Sequence, residues 1–306
     1  MPSEFEIIAR YFSRPARRAR VAVGDDAALV SVAAGMELAV STDMLVEGRH
    51  FAAGAEPRAL GHKSLAVNLS DMAAMGASPR WATLALAMPD ADEAWIAAFA
   101  DGFYAVAGRF GVDLVGGDTT RGPLAICVAI LGEVPAGRAL LRSGAKPGDD
   151  VWVSGELGGA GYALAAPGDP RADRRLHEPE PRVALGERLL GLASAAIDVS
   201  DGFAQDLGHI LERSGAGASV RYEALPKHPI VDPELCARCV LSGGDDYELA
   251  FTAPPSARAA IERVGADLGL PLARVGEVRA GPPVLEVLDQ RGAPMAVARG
   301  FDHFAA

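Results

Sequence analysis

Short apolar runs separated by longer stretches of helical period set the pattern of this chain. Residues 36–40, 81–88, 112–115 and 124–134 read as strands of a first half, and 151–153, 219–225, 248–252, 272–279 and 284–288 as strands of a second. Helical spacing predicts a helix over 57–75, with Pro57 in its first turn, Gly76 past its end, and Leu65, Leu69 and Met72 as its apolar stripe. Asp90 is read as the cap of a second helix that runs to Phe110 and stops at Gly111. Further helices are expected over 162–166, 183–192, 203–213 and 256–268. Ser3 and Glu6 spell a capping box for a short opening helix with Phe5, Ile8 and Phe12 on one side. The segment 167–182, rich in Pro and charge, reads as an exposed connector. Strands alternating with helices place the chain in the α/β (α+β) class.

Acidic turns interrupt this pattern, most of them where an apolar run ends. They are Gly24-Asp25-Asp26, Ser41-Thr42-Asp43, Asn68-Leu69-Ser70-Asp71, Gly116-Gly117-Asp118-Thr119, Asp198-Val199-Ser200-Asp201-Gly202 and Gly243-Gly244-Asp245-Asp246. Ser64, Asn68 and Asp71 fall at i, i+4 and i+7 and so share one helix face. A solvated face is the plain alternative, but that stretch holds few of the Lys, Arg and Glu residues such a face carries. If folding gathers several of these carboxylates, charges about 4 Å apart repel by roughly 4 kcal/mol at an effective dielectric of 20. Such a cluster calls for cations, and hard oxygen ligands suit Mg²⁺, which bridges carboxylates and substrate phosphates. The glycines at 116 and 117 let a ligand approach the backbone, and Asp118, Thr119 and Arg121 suit metal and phosphate. His50 lies a few residues past an acidic strand end, in reach of a substrate there. A calcium loop starting at Asp198 would need Glu at its twelfth position, which is His209. The residues alone therefore point to a Mg²⁺-dependent enzyme of phosphorylated substrates with two α/β domains.

Composition narrows the setting. At 306 residues the chain accommodates two domains, and the turn-rich, basic segment 137–149 marks the boundary between 1–137 and 138–306. Lys+Arg of 29 against Asp+Glu of 40, a net charge of −11, argues against nucleic acid and anionic membranes as partners. A nucleotide stays possible, because bound metal reverses the local field. No run reaches 18 uninterrupted apolar residues, residues 1–10 hold no secretory core, and three cysteines suit a reducing compartment, so a soluble cytoplasmic protein is expected. Cys236 and Cys239 form C-x-x-C; a zinc half-site or redox pair would need partners the sequence does not place nearby, and a structural role is the plainer reading. Residues 14–20, four of seven being Arg, read as a solvated turn, with a phosphate-facing role as the alternative. Residues 155–161 hold four glycines before a helix but do not match G-x-x-x-x-G-K-[ST]. Gly-Gly-Asp at 116–118 and again at 243–245 hints that the two halves are related.

Six motifs together go further. Gly24-Asp25-Asp26-Ala27-Ala28, the stretch from Ser41 to Phe51, the stretch from Asn68 to Ala77, Gly116-Gly117-Asp118-Thr119-Thr120, Asp198-Val199-Ser200-Asp201-Gly202 and Ser242-Gly243-Gly244-Asp245-Asp246-Tyr247-Glu248-Leu249 occur in the order of the thiamine-monophosphate kinase family. The chain resembles that family from about Phe5 to Phe301-Asp302-His303-Phe304. The resemblance implies ATP + thiamine monophosphate → ADP + thiamine diphosphate. It also implies the two-domain fold of aminoimidazole-ribotide synthetase, with N-terminal sheets pairing across a homodimer, a C-terminal mixed sheet flanked by helices, and ATP held between the domains. Domain 1–137 would then bind ATP and Mg²⁺ and dimerise, and domain 138–306 would complete the active site. Motif by motif, Asp26, Ser41, Thr42, Asp43, Asp71, Asp118, Asp198 and Asp201 would surround several Mg²⁺ ions. Gly117, Asp118, Arg142 and Ser200 would contact ATP; His50, Asp245 and Phe301 would contact thiamine phosphate. In the family the last two positions are often Glu and Tyr or Trp. No catalytic acid or base is expected, because the acceptor phosphate is already ionised and positioning with charge neutralisation suffices for direct in-line transfer. The rival readings are another ATP-dependent synthetase of the superfamily and a non-catalytic nucleotide-binding relative. Selenophosphate synthetase would want a reactive Cys near the N-terminus, and the first here is Cys127.

Overall fold

The computed structural model describes residues 2–298 and 300, and the chain divides into two units, Met1–Met72 with Ala77–Gly137 and Ala73–Gly76 with Arg138–Ala306. In the first unit the capping box forms: Ser3 Oγ accepts the Glu6 N–H while the Glu6 carboxylate accepts the Ser3 N–H at 2.7 Å. It opens α1 (Glu4–Ile7), which passes into a π-helical turn over Ile8–Phe12. The short antiparallel pair β1 (Ala19–Val21) and β2 (Leu29–Val30) brackets the Gly24-Asp25-Asp26 turn. Then follow β3 (Met36–Val46), α2 (Pro57–Ala74), β4 (Ser78–Met88), α3 (Glu93–Phe110), β5 (Asp113–Arg121) and β6 (Ala125–Pro135). The sheet order is β3-β6-β4-β5, antiparallel except for β4 with β5. The cap of α3 is Asp92 rather than Asp90; its carboxylate accepts the Ala94 and Trp95 N–H groups, and Gly111 ends the helix at φ +66°.

The pleat sorts this sheet's side chains. Leu84 and Leu86 share a face with Ile126, Val128 and Ile130, all buried, and Met72 of α2 lies against Gly132 on that face. The opposite face is apolar but open: Val40 and Met44 are 60% and 57% exposed, opposite the half-buried Leu131 and Cys127. Strands β3 and β5 do not stop at their polar motifs as the pattern suggested. They run through Ser41-Thr42-Asp43 and Gly116-Gly117-Asp118-Thr119: both are edge strands, the polar groups of β3 find partners on α2, and β5 continues its parallel pairing with β4.

The second unit contains β7 (Asp150–Ser154), α4 (Gly159–Ala165), α5 (Pro170–His177), α6 (Val183–Leu189), β8 (Ala195–Asp198), α7 (Phe203–Ser214), β9 (Gly217–Arg221), α8 (Pro233–Ser242), β10 (Leu249–Ala253), α9 (Arg258–Leu268), β11 (Leu272–Arg279) and β12 (Leu285–Leu288). They build a mixed sheet in the order β12-β9-β11-β7-β10-β8, in which only β12 and β9 run parallel. Val151, Val153, Ile197 and Val220 of the strands form one core with Phe203, Leu207, Ile210 and Leu211 of α7 and Val240 of α8. The supposed connector 167–182 contains α5, which buries Ala172 and Leu176, and α8 was not expected at all. Both begin Asp-Pro, an N-cap followed by proline in the first turn, and that signature was the available signal. Cys236 and Cys239 lie buried on α8, and all three cysteines are unpaired. The two Gly-Gly-Asp segments differ: 116–118 is extended strand, whereas 243–245 is a turn after α8 with Asp245 at φ +65°. Among the described residues no helix is long and apolar enough to cross a membrane.

Candidate active site

A cavity of about 570 Å³ in the first unit brings Gly24-Asp25-Asp26 against Gly116-Gly117-Asp118-Thr119 of β5, across an apolar wall of Ile8, Phe12 and Leu114. An acidic turn and an acidic strand segment, distant in sequence, thus face one space. Asp26 donates its N–H to Asp25 Oδ1 at 2.9 Å, which folds the turn on itself. Gly117 pairs with Leu84 in the parallel register, and a Cβ added there would stand 1.8 Å from the Leu84 carbonyl oxygen. Only glycine permits this approach. Gly117→Ala is expected to push β5 off β4, lowering stability by about 1–3 kcal/mol and weakening ligand binding in the cavity; thermal melting with and without nucleotide checks both.

On the helix-covered face, Ser41 Oγ donates to Asp71 Oδ2 at 2.5 Å, and the Asp43 N–H donates to Asn68 Oδ1 at 3.2 Å. Asn68 in turn donates to the Ser64 carbonyl. Asn68 and Asp71 of α2 are therefore turned toward β3, and Ser64 is buried with its hydroxyl on the Gly61 carbonyl. Thr42 points to the other side of β3 and is exposed. His50 Nδ1 accepts the Val46 N–H at 3.0 Å, which puts the ring proton on Nε2.

In the second unit, β8 ends at Asp198, 5% exposed and opposite Leu249 of β10. The pairing continues past both strands: Val199 N–H bonds the Glu248 carbonyl, Tyr247 N–H the Val199 carbonyl and Asp245 N–H the Ser200 carbonyl, all at 2.8 Å. The Asp198 turn and the Asp245 turn are thus zipped together. Asp245 and Tyr247 both take left-handed backbone, φ +65° and +50°, and the Tyr247 hydroxyl donates to Asp245 Oδ1 at 2.8 Å. Such strain persists only where the surroundings enforce it. Asp201 Oδ2 accepts from Gln205 at 3.4 Å. Arg142 lies on an exposed stretch, its carbonyl accepting from Ser214. Phe301 lies outside the described residues. Among the described residues no three His, Cys, Asp or Glu side chains stand together as a preformed metal site.

Residues 24–134 match the family described as AIR synthase related protein, N-terminal domain, and 146–287 its C-terminal domain. A thiamine-monophosphate kinase of Salmonella typhimurium is 45% identical over 99% of this chain and 98% of its own length. The chain belongs to the thiamine-monophosphate kinase family. A crystal structure of the thiamine-monophosphate kinase of Stenotrophomonas maltophilia matches with a TM-score of 0.86 at 43% identity, over 94% of this chain and 95% of that one. AaThiL, solved in complex with AMPPCP and TMP, matches at 0.78 with 28% identity, over 90% and 89%.

Two buried acids of this thiamine-monophosphate kinase family member hold the second unit's turns: Asp206, which the sequence motifs do not include, and Asp246, which stands in one without an assigned role. Asp206, in the first turn of α7, accepts the Ser200, Asp201 and Gly202 N–H groups at 3.0–3.1 Å through a single oxygen. Burial pushes its carboxyl up to about 7 despite those donors. Asp246 accepts the Gly158 N–H at 2.7 Å, and burial pushes it likewise up to about 7. Unfolded, both ionise near pH 4. Between about pH 4 and 7 the native state therefore keeps protons that the unfolded chain has released, and stability falls as pH rises through that window. Asp246→Asn should flatten this fall. Denaturant midpoints at about pH 5 and pH 8 test it; equal losses in variant and parent would exclude Asp246 as the titrating group.

Proposed function

We propose that this protein is a thiamine-monophosphate kinase that transfers the γ-phosphate of ATP to thiamine monophosphate, giving thiamine diphosphate and ADP. The observation that carries the reading is near-full-length identity to thiamine-monophosphate kinases, together with a shared fold in a relative that binds an ATP analogue and TMP.

The donor set fits Mg²⁺: Asp26 and Asp118 offer hard oxygens to one cavity, Ser41 and Asp71 a close oxygen pair, and Asp43, Thr42, Asp198 and Asp201 complete the acidic motifs. Bound Mg²⁺ supplies the charge neutralisation that two approaching phosphates require. The chain's own groups position the reactants. Gly117 and Asp118 on β5, with Arg142 and Ser200, face ATP. His50, its proton on Nε2, donates to a phosphate oxygen of thiamine monophosphate, and Asp245 and Phe301 complete that site. The acceptor phosphate is already ionised, so the transfer needs alignment rather than a base and proceeds directly, without a phosphoenzyme. Domain 1–137 carries the Asp26, Ser41-Thr42-Asp43, Asp71 and Asp118 motifs of this reading, and domain 138–306 carries its Asp198–Asp201 and Asp245 motifs. The open apolar face of Val40, Met44, Cys127 and Leu131, beside the edge strand β3, supports homodimerisation through the N-terminal sheets; light scattering should give twice the monomer mass. The three unpaired cysteines agree with a cytoplasmic location.

The deciding assay combines the protein with ATP, Mg²⁺ and thiamine monophosphate and quantifies both products. Equimolar thiamine diphosphate and ADP, abolished by EDTA, is the expected result. ADP alone would indicate a different acceptor; neither product, with ATP bound, would indicate a non-catalytic protein. Chiral γ-phosphate should transfer with net inversion, and retention would overturn direct transfer.

A further inference from the structure

A second cavity of the first unit, about 230 Å³, lies between the basic segment 14–18 and the C-terminal end of α3, with Arg14, Arg17, Arg18, Tyr104, Gly111 and Asp113 in its lining. It shares none of the acidic motif residues. One of its cations is held by an aromatic ring. The Arg14 guanidinium sits 3.6 Å from the centre of the Tyr104 ring, and the Tyr104 hydroxyl is fixed by donating to the Phe12 carbonyl at 2.8 Å. The main-chain N–H groups of Arg17 and Arg18 both donate to Asp113 Oδ2 at 2.7 Å, which pins the loop. Arg18 Nη1 donates to the Gly111 carbonyl at 2.5 Å and so is spent on closing α3. Among the described residues, neither Arg14 nor Arg17 forms an ion pair.

Three arginines and a single acid, Asp113, thus line one cavity, in a chain whose net charge is −11, and main-chain N–H groups already occupy that acid. Elsewhere such a chain repels anions; here it concentrates positive charge in a concave, pre-shaped space. A guanidinium seated over an aromatic face is held in place by the ring, and its N–H fork matches phosphate oxygens bidentately. The volume falls below the roughly 300 Å³ at which sites for larger organic ligands begin. We propose that this cavity binds a small phosphate-class anion, inorganic phosphate or pyrophosphate, independently of the Asp26–Asp118 cavity. Leu114 lines both cavities, and Phe12, whose carbonyl holds Tyr104, lines the larger one. An anion gripped by Arg14 and Arg17 therefore steadies one wall of the larger cavity. The proposal does not depend on the kinase reading.

Isothermal titration of the full chain in EDTA, with pyrophosphate and separately with phosphate, tests it. Metal removal suppresses phosphate binding at the carboxylates. One saturable site per chain is expected, weakened about tenfold or more in Arg17→Ala and progressively by added salt. Arg17→Lys should fall between, since it keeps the charge and loses the fork. Asp118→Asn should bind like the parent. Tighter binding of one anion than the other identifies which of the two the site takes. Failure of the parent to saturate by about 1 mM, parent-like binding in both Arg14→Ala and Arg17→Ala, or loss confined to Asp118→Asn would each overturn the proposal.

Discussion

Asp71→Asn is expected to lower turnover roughly a hundredfold or more, comparable to removing a preorganised transition-state charge contact, while leaving the fold intact. Asn is close to Asp in size, and Asp71 is half-buried on α2, so packing is conserved. What is lost is one negative charge beside Ser41 Oγ, on the helix face that meets β3. If the oxygen pair holds Mg²⁺, raising the Mg²⁺ concentration should restore part of the rate, because the missing charge weakens metal affinity. A purely structural role would show instead as a lowered melting temperature with no response to Mg²⁺. Near-normal turnover would take Asp71 out of the metal-binding set.

Glu248→Ala should cost about 3–5 kcal/mol of stability, the usual result of stripping one partner from a buried ion network. Glu248 is fully buried. Arg182 grips it with two bonds, Nε to Oε2 at 2.7 Å and Nη2 to Oε1 at 2.6 Å; Arg175 adds a third at 2.8 Å and Ser154 Oγ a fourth at 2.7 Å. Removing the carboxylate strands two guanidinium groups that are themselves mostly buried. The Glu248 carbonyl also holds Val199, so the loss should loosen the Asp198 turn and depress activity in parallel. Denaturant midpoints measure the first effect. A midpoint like the parent's would show that the network is not a stabilising element. Arg175→Ala, which leaves the bidentate Arg182 pair intact, should cost distinctly less.

Much of the candidate site was legible in the chain, for a reason that varies by motif. On α2, the i, i+4, i+7 spacing of Ser64, Asn68 and Asp71 already implied a polar face with few solubilising residues, and in the structure Asn68 and Asp71 of that face meet β3. The six motifs, taken in order, carried the family, because an ordered set is far more specific than any one of its members. Strand ends were less legible. Ser41-Thr42-Asp43 and Gly116-Gly117-Asp118 looked like terminations because polar and glycine residues usually end strands. They are strand interiors because each sits on a sheet edge, where Ser41 and Asp43 meet α2 and Gly117 pairs with Leu84 of β4. Helix α5 buries only Ala172 and Leu176, too little apolar surface to impose a period on a charged sequence.

By itself, then, the sequence determined the alternating strand and helix order, the acidic motifs and the family, all properties of local spacing along the chain. Tertiary structure decided which motifs share a space: Asp26 with Asp118 around one cavity, Ser41 with Asp71 across a strand and a helix, and the Asp198 turn zipped to the Asp245 turn. It also decided which carboxylates are structural. Asp206, Asp246 and Glu248 look in sequence like the acids around them, but their burial and backbone or arginine partners make them the frame of the turns. That distinction depends on desolvation and on hydrogen bonds between residues distant in the chain, and neither is a property of neighbouring residues in sequence.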